Sequence, residues 1–556
     1  MLDITLIVPF THTKNKINSV AIQILEKLCD EMHLQRRTID IANEFIDCKT
    51  EMGEWFWKWV GEKLESNPSP LYAITTMNAS FPWAARICEM IKKTNPSATV
   101  ILGGPHVTAL KEDIFKATSH VDYLCLYEAE AAFPDLVRYL RAERGEMPRN
   151  VIARKQAPVA PFKTTEKPQV SIGELPNQYY QRFTNLKIVD VEVGRGCPYD
   201  CYFCSSRELL GRTIRYKPID QIINESNQVF SMLDGDRRFC LNYAHDNFLA
   251  NKKYFSEFCA QKKLKKADFY YGCGARIDLI DYDILNQLIS SGCKYLFIGV
   301  ETGSARIQKI CRKNLRLDTI IPKVKTLTNH GIFVEANFIM GFPEESLEDL
   351  HETIKLMIHL GSLSSRVNIN FSFMSPERST DIAKNTRIGD HILVEHTDYV
   401  KTLRKAGFNI EKEMNSIFNN HLYTIRHAQY DIIEKIHKGW DYVEFLHRYP
   451  FCSYFIAREM PNRVTNLFES MGDGQLDRIL LQFFSAEQVE NSTDIGYQMV
   501  RYEILLNNKS YFDKPVYRTF RYDIQNLYRK FLLNHDTLDM NALASEKRWH
   551  ISLSGQ

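Results

Sequence analysis

The stretch Gly194-Arg195-Gly196-Cys197-Pro198-Tyr199-Asp200-Cys201-Tyr202-Phe203-Cys204 constrains this chain more than any other. Its three cysteines have the spacing C-x3-C-x2-C and directly follow a β-rich run, Lys187 to Val193. Thiolates this close together can hold an iron–sulfur cluster. A four-iron cube has four corners, so three protein ligands leave one iron open, as catalytic metal sites do. An open iron can bind a substrate or cofactor and pass it an electron. A zinc knuckle is the competing reading. It needs a fourth ligand at a typical offset, and the next cysteine, Cys240, lies far off.

The 556 residues suit roughly three or four domains. A formal net charge of +2 implies no general attraction to nucleic acid or to a membrane surface. No apolar run is long enough to span a bilayer. The opening Met1-Leu2-Asp3-Ile4-Thr5 lacks a basic segment and a cleavage site, so it reads as a first strand. Thirteen scattered cysteines without a leader fit a reducing cytoplasm.

Residues 1–150 alternate strands and helices. Ile4 to Val8, Leu71 to Thr75 and Ala98 to Leu102 are short apolar runs that read as buried parallel strands. Ile17, Val20, Ala21, Ile24, Leu25 and Leu28 follow helical spacing, and a second helix covers Trp83 to Lys93. The third run ends in Gly103-Gly104-Pro105-His106. Val121 to Leu126 precedes Glu128-Ala129-Glu130 and a further helix. The pattern predicts a doubly wound, Rossmann-like α/β domain with its ligand site beyond the carboxyl ends of the strands. Residues 151–186, punctuated by Pro158, Pro161, Pro168 and Pro176, read as a linker.

Residues 187–385 predict six βα units, a partial (β/α)6 barrel. After the cysteine loop, strands end at His245-Asp246-Asn247, at Arg276, at Glu301-Thr302-Gly303-Ser304 and at Gly341-Phe342-Pro343-Glu344, and a sixth covers Val367 to Phe373. Barrel chemistry sits at such strand ends. Residues 386–556 read as a mainly α-helical region, with helical spacing over Tyr423 to His437 and Val516 to Leu532. A cap that closes the barrel is its simplest role.

The cysteine loop resembles the signature of the radical S-adenosylmethionine (radical SAM) superfamily. The resemblance implies a [4Fe-4S] cluster on Cys197, Cys201 and Cys204, with S-adenosylmethionine (SAM) chelated by the open iron and reduced to a 5′-deoxyadenosyl radical. It puts Phe203 near the adenine. His245 and Asp246 stand where the family holds the SAM amino group, with a different sequence. Arg276 can pair with the SAM carboxylate, and Glu301 can accept from the ribose diol. Asn337 to Glu344 matches the family's Gly-x-Ile-x-Gly-x-x-Glu except at its first Gly, so Gly341 and Glu344 fall near the adenine. An isolated Glu or Arg at a strand end is usually a surface ion pair or a cap; in order, after the cysteine loop, these residues say much more.

The first 150 residues resemble the cobalamin-binding domain of one large radical SAM class, through Gly103-Gly104 and the acidic run. The resemblance implies cobalamin against Gly103 and Gly104. Two departures stand out. The family's Asp-x-His-x-x-Gly leaves only His12 here, with Phe10 and Asn15 at the Asp and Gly positions. Its Gly-Glu-Gly-Glu becomes Tyr127-Glu128-Ala129-Glu130, which is expected to narrow the corrin cleft. A degenerate or substrate-binding domain is the alternative.

This layout implies methylation of an unactivated carbon in a peptide or small molecule, with an external electron donor of flavodoxin or ferredoxin type. Val8-Pro9-Phe10 and Gly53-Glu54-Trp55-Phe56 also look like enzymes that mature ribosomally made peptides. L-to-D epimerisation of peptide residues competes. It needs a thiol hydrogen donor, for which Cys273 and Cys311 are candidates beside Cys240, Cys293 and Cys452. A buried Cys is otherwise a small hydrophobe. A non-catalytic metal-binding scaffold is the reading from another class.

Overall fold

The computed structural model describes residues 2–11, 19–142 except 49, 146–154, 188–232, and 240–410 except 362, 365 and 396. Beyond these it describes 422–431, 433–434, 449, 451–452, 455–456, 495–507, 519–520 and 551–552. His12, most of the proposed linker and most of the helix expected over Val516 to Leu532 lie outside the described residues; within that helix Thr519–Phe520 form instead a strand, paired antiparallel with Ile551–Ser552. The chain divides into two compact units. One holds Met1–Gly274, Ser290–Gly292 and Ser375–Arg426; the other holds Ala275–Ile289, Cys293–Met374 and His427–Gln556.

The first unit begins with β1 (Ile4–Val8), α1 (Val20–Glu31), β2 (Arg36–Asp40), α2 (Ile41–Asp47), α3 (Trp55–Glu65), β3 (Leu71–Thr75) and α4 (Phe81–Thr94). β4 (Thr99–Gly103), α5 (Pro105–Leu110), α6 (Ile114–Ala117), β5 (Tyr123–Cys125), α7 (Ala129–Ala142) and β6 (Val151–Ala153) follow. The sheet runs β2-β1-β3-β4-β5-β6, parallel except for β6, as a doubly wound domain requires. Strand side chains alternate between two cores. Ile7, Tyr72, Ile74, Val100, Leu102 and Leu124 face one; Ile4, Leu6, Ala73, Ile101 and Cys125 face the other, against α1 and α7.

The expected peptide-enzyme segments serve the first of these cores. Phe10 and Phe56 are buried there, with Trp83 edge-on to both at 4.7 and 5.4 Å.

One glycine of the predicted pair is fixed by backbone geometry. Gly104 has φ +105° and ψ 178°, a region that only glycine occupies freely. A Cβ there would sit 2.9 Å from the Thr76 nitrogen. Gly104→Ala is therefore expected to destabilise this unit by roughly 1–3 kcal/mol. A lower denaturant midpoint would show it; an unchanged midpoint would refute it.

The same unit continues with β7 (Ile188–Glu192), β8 (Gly194–Arg195), α8 (Ser206–Leu210), β9 (Arg215–Tyr216), α9 (Ile219–Met232), β10 (Cys240–Ala244), α10 (Lys252–Leu264) and β11 (Tyr271–Ala275). β10 lies between β7 and β11, parallel to both. The second unit brings α11 (Tyr282–Ser290), β12 (Cys293–Glu301), α12 (Ala305–Ile310), α13 (Ile320–Asn329), β13 (Phe333–Met340), α14 (Leu347–Gly361) and β14 (Val367–Phe373). Here β13 is central and again all pairings are parallel. The six parallel strands expected of residues 187–385 are all present, three in each unit.

The chain then forms α15 (Asp381–Asn385), β15 (His391–Leu393), α16 (Asp398–Lys405), β16 (Tyr423–Ile425) and α17 (Ile495–Asn507). Helical spacing predicted a helix from Tyr423. The structure instead pairs Tyr423–Ile425 with β15 as an antiparallel ribbon. Tyr399, Val400, Leu403 and Phe408 join the core beneath α3 and α4, and Trp57 Nε1 donates to the Ala406 carbonyl at 2.7 Å. The Arg86 guanidinium lies 5.1 Å from the Trp57 ring and 4.6 Å from that of Phe408. An amphipathic helix announces that it packs, but not on what. This one packs on the first unit rather than belonging to a separate cap.

Candidate active site

In the first unit the three cysteines occupy one loop, closed at its base by β8 and β9. Gly196, at φ +93°, lets the loop leave β8. The Cys197 N–H donates to the Gly211 carbonyl at 3.1 Å, and the Cys204 N–H to that of Cys201 at 3.1 Å. Arg207 binds Asp200 and, at 2.9 Å, Asp381; Arg212 binds Asp200 at 2.8 Å. The Tyr202 hydroxyl accepts from Asn385 at 3.1 Å. The loop is thus strapped before any cofactor enters.

All three cysteines are partly buried. Burial pushes the Cys197 thiol up to about 11, and the charges of Asp246, Cys204 and Cys201 add to that. Thiols that oppose each other's ionisation call for a cation, and iron supplies one. Among the described residues no three His, Cys, Asp or Glu side chains gather tightly enough to share a single ion. Three thiols on one loop match in number the protein ligands of a [4Fe-4S] cluster that keeps one iron open. Phe203 is half-buried in the same loop.

His245, at the end of β10, stacks on Tyr216 with centroids 5.1 Å apart. Its Nδ1 accepts the Asn247 N–H at 2.8 Å, which leaves the proton on Nε2. That Nε2 is buried without a partner among the described residues. Burial brings the imidazole down to about 4, so it is neutral at ordinary pH. Asp246 is exposed and takes a bond from Ser206. Cys273, on β11, is fully buried.

A cleft of about 290 Å3 opens at the carboxyl ends of β3, β4 and β5. Ala73, Thr75, Gly103, Gly104, Cys125 and Tyr127 line it from the sheet, and Ala21, Ile24, Leu25 and Phe133 from α1 and α7. Arg195 and Leu210, from the segment that carries the cysteines, complete it. Tyr127, where the family has Gly, keeps a glycine-like φ of +60°. The Tyr127 side chain lines part of the cleft. The mostly apolar lining and the close backbone approach at Gly104 suit the face of a corrin.

An ion cluster sits at the cleft wall. Arg195 binds Glu192 at 2.7 Å and also binds Glu130; Arg215 binds Glu128 through both guanidinium nitrogens at 2.8 and 2.6 Å. Burial works against the charge of Arg195, but Glu192 and Glu130 outweigh it and hold it protonated. Sequence reasoning passed over both arginines.

In the second unit, Glu301 ends β12 at φ +68°. It pairs with Lys313 at 2.7 Å, both side chains nearly buried. Arg276 binds Asp278 at 3.0 Å and donates to the Lys313 carbonyl at 2.7 Å. The three form one network, in which Lys313 was not anticipated. Glu344 is exposed, and its carbonyl accepts from Arg306. Its neighbour Glu345 is the inward carboxylate, accepting the Gly341 N–H at 2.7 Å. Cys311 is buried and donates weakly to the Gln308 carbonyl at 3.5 Å.

Residues 191–357 match the radical SAM superfamily, and residues 41–137 match the B12 binding domain. An uncharacterised methyltransferase of Pyrococcus horikoshii is 26% identical over 51% of this chain and 63% of its own length. The bacteriochlorophyllide d C-12(1)-methyltransferase of Chlorobaculum tepidum is 24% identical over 63% of this chain and 71% of its own. The chain thus spans only about two thirds of these relatives.

Two solved structures share the fold. The radical SAM methyltransferase TsrM of Kitasatospora setae, with cobalamin and a [4Fe-4S] cluster bound, superposes with TM-score 0.59 at 12% identity over 85% of this chain and 98% of that one. The cobalamin-dependent radical enzyme OxsB gives 0.58 at 14% identity over 96% and 84%. Among the described residues no helix is long and apolar enough to cross a membrane. One chain thus carries a domain that matches the radical SAM superfamily and a domain that matches the B12 binding domain, with the cysteine loop beside the cleft.

Proposed function

We propose that this protein is a cobalamin-dependent radical SAM methyltransferase that methylates a carbon of a peptide or small molecule. One observation carries the reading: a single cleft is walled both by the strand ends of the B12-type domain and by the segment bearing the three cysteines. Methyl donor and radical source are thereby neighbours within one unit. The names of the relatives, several of them methyltransferases, point the same way.

In this reading the [4Fe-4S] cluster and SAM supply hydrogen-atom abstraction, and cobalamin supplies the methyl group. The chain's own residues do the rest. Cys197, Cys201 and Cys204 hold the cluster. Gly103, Gly104 and Tyr127 shape the corrin cleft, whose apolar wall excludes water. The SAM-binding roles that the resemblance implies fall to Phe203, His245 and Asp246 in the first unit and to Arg276, Glu301, Gly341 and Glu344 in the second. Glu301 keeps an oxygen for a diol only if Lys313 holds the other, which their 2.7 Å pair permits. An external one-electron donor completes the reaction.

Epimerisation gains nothing here. Cys273, Cys293, Cys311 and Cys452 are all buried, which suits packing better than hydrogen donation.

The test is anaerobic reconstitution with iron, sulfide and hydroxocobalamin, followed by SAM and a reductant. Retained cobalamin with both 5′-deoxyadenosine and S-adenosylhomocysteine is the expected outcome. An iron–sulfur spectrum without cobalamin, and 5′-deoxyadenosine alone, would overturn methylation.

A further inference from the structure

The ribbon that closes the cysteine loop carries an arginine on each strand, at paired positions. β8 and β9 are antiparallel, with Arg195 opposite Arg215. Like charges facing each other across a strand pair repel. Both side chains are largely buried, 9% and 13% exposed, and a guanidinium does not shed its proton. The ribbon closes only because carboxylates come to it.

Glu128 is central among them. Its carboxylate takes two bonds from Arg215 at 2.6 and 2.8 Å and lies 3.5 Å from Arg195. It therefore bridges the two like charges. Glu130 binds Arg195 from the start of α7, and Glu192 from the end of β7. Glu128 and Glu130 also line the cleft, one and three residues beyond Tyr127. The Tyr127 backbone is left-handed, and its N–H donates to Thr108 Oγ1 at 2.8 Å. The cleft wall is thus pinned at Thr108 on one side and at the arginine ribbon on the other.

We infer that Glu128 is a positioning residue that couples the cleft to the cysteine loop, so that cobalamin binding and cluster loading assist each other. The inference rests on the cleft being the cobalamin site. A ligand that orders Tyr127 to Glu130 also orders the carboxylates that clamp Arg195 and Arg215. Those arginines set where the loop departs at Gly196-Cys197 and where it returns. Such coupling is reciprocal: whatever one ligand does to the other's affinity, the other does in return.

The test measures the dissociation constant of hydroxocobalamin on the full chain, first free of iron and then with the cluster reconstituted. In the native protein the loaded form is expected to bind at least about fivefold more tightly. In Glu128→Gln that ratio is expected to fall to about one, whatever the variant's own affinity for hydroxocobalamin, with the cluster spectrum retained. A native ratio of one, or a Glu128→Gln ratio equal to the native one, overturns the coupling while leaving the cleft assignment standing. Failure of every form to bind cobalamin overturns the cleft assignment, and the inference with it. Should Glu128→Gln fail to fold, Arg215→Lys takes its place, since it keeps the charge and loses the two-point bond. Its ratio must fall below half the native value, and a larger ratio overturns the inference.

Discussion

Replacing Cys201 with alanine is expected to abolish both the iron–sulfur cluster and every product of SAM cleavage. Three thiolates from one loop are the whole protein ligand set of such a cube. Two leave a second iron without an anchor, and the cube is lost. The loop itself should survive. The Cys201 carbonyl still accepts the Cys204 N–H, and the Asp200, Arg207 and Asp381 bridges do not involve the thiol. The residue is only partly buried, so little packing goes with it. The thermal midpoint of the variant should therefore match that of the iron-free native protein. Iron and sulfide analysis should return background, and 5′-deoxyadenosine should not rise above a cluster-free control. Full iron content with SAM cleavage in this variant would end the radical SAM reading. Cys273→Ala is the contrast. That thiol is buried in β11, and its loss should leave the cluster content unchanged.

How much of this was legible depended on how far apart the interacting residues lie in the chain. The cysteine loop could be read because its ligands sit within eight residues of each other. β13 and β14 begin and end where apolar runs meet Gly341, Pro343 and the start of Phe373-Met374, so their bounds were foreseen. The ion cluster could not be. Glu128 and Arg215 are 87 positions apart, and Glu130 and Arg195 are 65. Only the fold makes them neighbours. In the sequence the acidic run carries a family likeness, but nothing in it tells which cations its carboxylates meet. The lost glycine at Tyr127 did not rebuild the backbone, because the pinned loop enforces a left-handed φ on a tyrosine. Counting along a motif selected Glu344, whereas the turn at Phe342-Pro343 swings Glu345 inward. A pattern cannot decide which of two adjacent carboxylates faces the core.

That inward carboxylate gives the protein a stability that depends on pH, and the sign follows from its surroundings. Glu345 is 4% exposed. Its Oε2 accepts the Gly341 N–H, and its Oε1 is buried with no partner among the described residues. Burial raises its pKa from 4.5 to about 7, and nearby Asp349 adds to this, against the lowering by the Gly341 N–H. Between those two values the folded protein keeps a proton that the unfolded chain has released. The folded state then binds more protons, so stability falls as pH rises through that window. Above about 7 both states are ionised and the loss is complete. The gap between 4.5 and about 7 corresponds to roughly 3 kcal/mol. Glu345→Gln resembles the protonated form at every pH and still offers an oxygen to Gly341. Relative to the native protein it should therefore gain up to about 3 kcal/mol between about pH 4.5 and pH 8, with no gain at the acid end. Urea unfolding at both ends of the range measures the difference directly. If native protein and variant keep a constant difference across the window, the buried carboxylate is not protonated and the account of this turn fails. If the gap opens as pH rises, the turn after β13 holds a neutral acid near physiological pH.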